Sequence, residues 1–378
     1  MNFDWLIEDH ELKKRVRDVF DAEALSQLEA LESCDTESLR GIVRLFLNKL
    51  GPTHYLRLGV GPERTGQTLQ LLAAQEELAG LSRSLFIAVE VTARLFGGLL
   101  RGFCGDEAAV KIAQSVEEGR TIGALGVTEP AKDDTVEPLT RVYRKGDKVI
   151  VSGEKDFVTN APIADWIAVV AYEEVGKTIC LVRPDQEGVT VGTRMQTLGY
   201  CGLAVSSLTL REVQVAPDLV FGPFDSSVLM DFLRGTEDLV LSSASVGLMN
   251  AVIAKAKAYA QSHRRDGKPI FAHQEIRFKL AEMLTLYQSA QLLVFRAGWM
   301  MAVHNEERRT LVRCAKVFAT EAAEKVSAMA MQILGGQGYV SGNVVERAYR
   351  DAKYGCIAGT TSERARMEIA DDILARYG

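Results

Sequence analysis

The sequence predicts a mainly α-helical protein with a central antiparallel β domain. Apolar residues recur at three- and four-residue spacing towards both ends of the chain, the period of an amphipathic helix. The middle carries short β-branched runs divided by turn residues instead. The length of 378 residues leaves room for more than one core, on a prior of roughly 100–200 residues per domain.

Taken in order, the helical spacing predicts helices over 8–30, 38–50, 66–80 and 85–100, broken at Gly51, Pro52, Gly59 and Gly61. From about 121 to 222 the runs 148–152, 166–171 and 178–182 read as strands, with turns at Gly146, Asp147, Glu174, Gly176, Pro184 and Asp185. The intervals are too short for crossover helices, so the sheet should be antiparallel. Long helices return over 237–262, 273–304 and 308–333, the last stopped by Gly335, with a shorter one after Ser362. The expected domains are 1–120, an N-terminal helical domain; 121–224, a middle β domain; and 225–378, a helical bundle.

Composition narrows the function. The 44 basic and 50 acidic residues give a net charge of −6, which speaks against a nucleic-acid partner. A hydrophobic share of 47% speaks against disorder. Six scattered cysteines form no Cys-x-x-Cys and have no histidine cluster beside them, so neither a metal site nor a disulfide frame is expected. The opening Met-Asn-Phe-Asp-Trp-Leu carries an acid where a signal peptide needs a basic leader, and the weakly polar run 239–254 is too short to span a bilayer. These features predict a soluble, cytoplasmic protein. Two nucleotide motifs fail: the glycines at 335, 336 and 338 follow a helix and do not fit Gly-x-Gly-x-x-Gly, and Gly176-Lys177-Thr178 has Ala171 where a P-loop needs glycine.

Four ordered segments, spanning roughly residues 85–378, carry a more specific message. They are Thr128-Glu129-Pro130; residues 153–160, Gly-Glu-Lys-Asp-Phe-Val-Thr-Asn; Gly267-Lys268-Pro269-Ile270 with Gln274 and Leu280-Ala281-Glu282; and Gln332 to Tyr339 with Arg350-Asp351-Ala352-Lys353 and Thr361-Ser362. Together they resemble the acyl-CoA dehydrogenase flavoproteins. The resemblance implies an N-terminal helical domain, a β-barrel-like middle domain and a C-terminal four-helix bundle. It implies FAD, α,β-dehydrogenation of an acyl-CoA to an enoyl-CoA, a carboxylate that takes the α-proton and hydride transfer to flavin N5. An electron-transfer flavoprotein is the implied electron acceptor, and the assembly a homotetramer or dimer in which the glycine-rich turn serves the neighbour's flavin. The implied cofactor-binding positions are Val127, Thr128, Phe157, Val158, Thr159, His263, Arg264, Gln274, Gln332, Gly335, Gly336, Thr361 and Glu363.

Many members of that family place the base in a Tyr-Glu-Gly-Thr run before the last helix, and the matching position here is Gly359, which cannot take a proton. The isovaleryl- and long-chain-type branch places it in the first long helix of the C-terminal domain, where Glu237 falls. Read from the residues alone, Thr236 would be a helix N-cap and Glu237-Asp238 would complement the helix dipole. The resemblance makes Glu237 the catalytic base.

Arg83, Asp134, Asp238 and Gly359 are the candidates for the substrate side. Arg83 would either meet a second carboxylate on the acyl chain or be a surface arginine on a solvated helix face, and Phe86, Phe96 and Phe103 would favour a short, branched or cyclic acyl group. Departures from the family pattern include Asp238 for its arginine, His263 for the arginine at the flavin pyrophosphate, Phe157 for tryptophan, and Ala131 to Thr135 where Gly-Ser-Asp is usual. They leave open an acyl group on a carrier protein, a different flavin reaction, or a non-catalytic paralogue.

Overall fold

A computed structural model describes residues 7–59, 67–130, 139–146 and 148–377. Asp134, the rest of the 131–138 stretch, Gly61 and Asp147 lie outside the described residues. The chain opens with α1 (Ile7–Asp18), α2 (Ala22–Leu31), α3 (Thr36–Leu50), α4 (Thr68–Leu81), α5 (Arg83–Glu90), α6 (Gly97–Phe103) and α7 (Glu107–Glu117). The single helix expected over 8–30 is two, because the Asp21 side chain accepts from the N–H of Ala24 and starts a new helix. On α3, Leu39, Ile42, Val43, Phe46, Leu47 and Leu50 fall on one face and are all buried, each contributing roughly 1.5–3 kcal/mol. Between α5 and α6 the helix widens into a π turn, Val91–Phe96.

Among the described residues eight strands follow: β1 (Gly123–Gly126), β2 (Arg141–Lys145), β3 (Lys148–Thr159), β4 (Trp166–Glu173), β5 (Gly176–Val182), β6 (Val189–Val191), β7 (Val205–Val215) and β8 (Val220–Phe224). They form one sheet in the order β6-β7-β3-β2-β4-β5-β8, with β1 paired to β4. The sheet is mixed rather than purely antiparallel. β1 runs parallel to β4, Gly123 opposite Trp166, and β2 touches β4 in parallel at Arg141 and Tyr172. The β2–β3 hairpin supplies the crossover that the sequence reading had required of a helix.

The helical third contains α8 (Ser226–Ser262), a short β9–β10 hairpin (Arg264–Arg265 and Lys268–Pro269), α9 (Gln274–Ala302), α10 (Arg308–Leu334), α11 (Gly336–Tyr339), α12 (Val344–Ile357) and α13 (Ser362–Tyr377). α10 stops at Gly335 with φ of +58°, a conformation that suits glycine. α8 begins well before the expected 237. Asp225 caps it, accepting from the N–H groups of Ser227 and Val228. Thr236 is therefore no N-cap, and Glu237 lies about three turns inside the helix. By length and composition α8 could cross a bilayer, contrary to the sequence reading, but 67% of its most apolar window is buried inside the protein.

Candidate active site

A cavity of about 510 Å³ opens where the sheet, the π turn and α8 meet. Val91 and Leu95 line it from the π turn, Leu125 to Glu129 from the end of β1, Lys155, Asp156, Phe157 and Thr159 from β3, and Met230, Leu233, Arg234 and Glu237 from α8. Val170, Tyr172, Lys177 and Gly359 complete the wall.

Local bonding explains why the β1 and β3 ends stand where they do. Glu129 accepts from the backbone N–H groups of Leu139 (2.9 Å) and Thr140 (3.0 Å) and pairs with the buried Lys155 ammonium at 2.8 Å. Burial opposes its charge, yet Lys155 and these N–H groups hold its pKa below the ordinary carboxylate value. Lys155 also donates to the Val127 carbonyl, and the Asp156 N–H donates to the Thr128 carbonyl at 2.8 Å. The loop is thus strapped to β3, and Glu129 is a fastening rather than a base. The β3–β7 register shifts between Lys155 and Val158, and Phe157 emerges there with φ of +52° and 65% of its surface exposed. Val158 points the other way into the sheet core, so it has only backbone to offer a ligand. Asn160 is buried and donates to the carbonyls of Ala88 (2.8 Å) and Gly123 (3.2 Å), tying the end of β3 to α5 and β1.

On the opposite side, Glu237 faces the cavity from α8. Burial pushes its pKa up to about 7, and the neighbouring Asp238 charge adds to this, while Lys316 and Arg234 oppose it. Asp238 itself does not reach the cavity. It is fully buried, ion-paired with Arg313, and accepts from the N–H of Thr360 at 3.0 Å. The substrate-side role expected for Asp238 is therefore corrected: it is an internal strut. The buried Lys316 donates to the Thr360 carbonyl, so both backbone polar groups of Thr360 are fixed, one to α8 and one to α10. The result sets Gly359, with φ of +63°, directly beside Glu237: a Cβ at 359 would lie 3.4 Å from the Glu237 carboxyl carbon and 2.6 Å from Asp238 Oδ1.

Other expected site residues lie elsewhere. Arg83 is buried and pairs with Asp351 at 2.6 Å, whose other oxygen accepts from the Tyr200 N–H; it fastens α5 to α12 and is not offered to a ligand. Phe86 and Phe96 are core residues, and Phe103 packs on Phe224 and Phe232; Val91 and Leu95 line the cavity in their place. Thr361 and Glu363 stand at the start of α13, next to the Gly359 turn but outside the cavity wall. His263 and Arg264 are exposed at the far end of α8, about 39 Å along the helix from Glu237. Gln274, Gln332, Gly335 and Gly336 are likewise exposed and absent from the cavity wall. Sequence reasoning did not anticipate Arg234, Tyr172 or Lys177 in the site. For Arg234 the signal was its position one turn before Glu237.

Residues 124–213 match the family described as "Acyl-CoA dehydrogenase, middle domain", and residues 233–374 match "Acyl-CoA dehydrogenase, C-terminal domain". The chain is 32% identical to a 3-(aryl)acrylate reductase of Clostridium sporogenes, over 71% of this chain and 73% of that protein. It is 30% identical to a probable acyl-CoA dehydrogenase, YngJ, of Bacillus subtilis, over 82% and 83% of the two chains. Its fold superposes on butyryl-CoA dehydrogenase from Megasphaera elsdenii with a TM-score of 0.88, covering 99% of this chain and 100% of the other at 24% identity. A desolvated carboxylate facing the exposed ends of β1 and β3 is thus found on the fold, and within the sequence boundaries, of a known group of enzymes. The chain belongs to the acyl-CoA dehydrogenase family of FAD-dependent oxidoreductases that act on CH–CH groups.

Proposed function

We propose that the protein catalyses α,β-dehydrogenation of an acyl thioester with Glu237 as the base, as in the isovaleryl- and long-chain-type branch. One observation carries the reading: position 359, which would hold the base in other members, adjoins the Glu237 carboxyl group, so both chain positions address the same point in the cavity. A half-buried carboxylate whose pKa is pushed up to about 7 is matched to proton transfer near neutrality. Glu237 removes the α-proton, while the apolar Val91, Leu95 and Leu233 keep the acyl chain's surroundings dry.

The opposite wall fits a planar ring system. The exposed face of Phe157 and the hydroxyls of Thr128 and Thr159 stand together along the β1 and β3 ends, opposite Glu237. FAD bound there, without covalent linkage, supplies the acceptor for the β-hydride. Gln332, Gly335 and Gly336, exposed and away from this cavity, are assigned to the flavin of a neighbouring subunit, as are His263, Arg264 and Gln274. The assembly is then a homotetramer or dimer. The carrier of the acyl group is coenzyme A, with an acyl-carrier protein as the alternative. An electron-transfer flavoprotein takes the electrons; one relative is named as the CarC subunit of a caffeyl-CoA reductase–Etf complex. The six free thiols support a cytoplasmic setting.

A second reading, reduction of an α,β-unsaturated acyl group, is favoured by the same pKa. Near pH 7 Glu237 is present in both forms, and its neutral form would return a proton to the α-carbon, the β-hydride coming from bound flavin kept reduced by an electron-transfer flavoprotein. The test of either direction is Glu237→Gln, which keeps shape but cannot exchange that proton. Anaerobic bleaching of the flavin by the best thioester should fall about 10²–10⁴-fold with FAD content unchanged. Bleaching at the wild-type rate would refute Glu237 as the base.

A further inference from the structure

Besides Lys155, which pairs with Glu129, the cavity wall carries two cations, Lys177 and Arg234, that exchange no proton in the reaction. Lys177, on β5, is only 9% exposed. Its ammonium lies over the Tyr172 ring, 4.9 Å from the centroid. Arg234, on α8, has Glu368 as its nearest carboxylate among the described residues, at 4.0 Å, beyond hydrogen-bond reach. Among the described residues, the carboxylates that line the cavity are otherwise placed. Glu129 is taken by Lys155, Leu139 and Thr140, Asp156 accepts from the Phe157 N–H, and Glu237 is the base. Burial and then Arg234 lower the Lys177 pKa, as expected when one charge is desolvated beside another of the same sign. A buried and a half-buried cation lining one cavity are stabilised most directly by an oxyanion that enters it.

We propose that Lys177 and Arg234 form an anion subsite within the substrate cavity, and that the preferred substrate is a thioester whose acyl group carries a second carboxylate. The inference rests on the thioester reading above. Arg234 stands three residues before Glu237, so their Cβ atoms are about 5–6 Å apart on one helix face. An anion held there lies within a short acyl chain's length of the α-carbon. The phosphates of a carrier, by contrast, are separated from the thioester by the whole pantetheine arm, and Lys177 is buried within the cavity rather than set at its rim. This is the second-carboxylate role for which the sequence had offered Arg83; the structure commits Arg83 to Asp351 and offers these two cations instead.

The test uses FAD-loaded protein and thioether analogues, which lack the carbonyl that acidifies the α-proton and so bind without reacting. S-butyl and S-carboxypropyl tails have the same length and differ only in the terminal carboxylate. Each is attached to coenzyme A and to N-acetylcysteamine, which has no phosphate, and dissociation constants are read by calorimetry. The carboxypropyl tail should bind more tightly than butyl on both arms. Lys177→Met and Arg234→Met should each weaken the carboxypropyl ligands about 10- to 100-fold relative to butyl, and Lys177→Arg should retain the preference. Equal binding of the two tails by wild type overturns the proposal, whatever the variants do. So does a loss confined to the coenzyme A ligands and indifferent to the tail, which would assign the cations to the carrier's phosphates. Anaerobic flavin reduction by butyryl and succinyl thioesters tests dehydrogenation separately. A carboxylate preference without reduction by any thioester would sink the dehydrogenase reading and leave the subsite standing.

Discussion

Glu237 is an acid that the fold makes weaker, and this has two consequences at the scale of the residue. The base must be ionised to accept a proton, so the rate of flavin reduction should rise with pH through about 7 and level off above it. Stability should move the other way. The folded protein keeps a proton at Glu237 between the ordinary carboxylate value of 4.5 and about 7, a range in which the unfolded chain has released it. Stability therefore falls as pH rises across that window. Glu237→Gln removes this penalty, on the order of 3 kcal/mol above pH 7 and close to zero at pH 4. Urea unfolding of both proteins at the two pH values checks the prediction, and an equal difference at both would show that Glu237 titrates normally.

At the scale of the element, the site depends on a turn that contributes no reactive group. Asp238 and Lys316 clasp the backbone N–H and carbonyl of Thr360, and the turn carries Gly359 against Glu237 in a backbone conformation that other residues rarely adopt. Gly359→Ala should cost about 1–3 kcal/mol in thermal unfolding through backbone strain alone, and its Cβ would meet Asp238 Oδ1. For the same reason Gly359→Glu should not restore activity to Glu237→Gln: the second carboxylate would have to enter a place already filled. Part of this was legible in the sequence. The stop at Gly335, a helix through 85–100 and the strand runs followed from period and turn chemistry, while the π turn within that helix did not. The early start of α8 at Asp225-Ser226-Ser227 was also present as a capping signal, but Thr236 offered a competing one nearer the family motif. What could not be read was the direction of Asp238. Its partner Arg313 lies 75 residues away, and no local pattern announces a pairing between two helices.

At the scale of the molecule, α8 is about 55 Å long, and it separates the residues assigned to flavin contact into two groups. Thr128, Phe157 and Thr159 lie at one end with Glu237, while His263 and Arg264 lie at the other. A single chain cannot bring both to one cofactor. The helical third also leaves Phe278, Leu284, Leu292 and Tyr339 exposed by 63%, 50%, 49% and 80%, which suits burial by further copies of the chain. Sedimentation velocity should report a tetramer or dimer carrying one FAD per chain. Phe278→Glu should shift the distribution towards monomer and lower the FAD content with it; a monomer that keeps stoichiometric FAD would refute the shared site. The sequence carried the fold and most of one face of the cavity, because those positions sit in contiguous motifs. It concealed Lys177 and Arg234, which only the meeting of β5 with α8 brings together.

The Arg313 guanidinium that holds Asp238 is itself held by Glu368 of α13 at 2.6 Å. α13 lines no part of the cavity, yet it steadies the charge next to the base through a relay of two ion pairs. Proteolytic clipping ahead of Ser362 would leave every cavity residue in place while loosening the electrostatic setting of Glu237. Such damage would present as a displaced pH profile in protein that still binds its ligand, and so would be mistaken for a lesion in the active site.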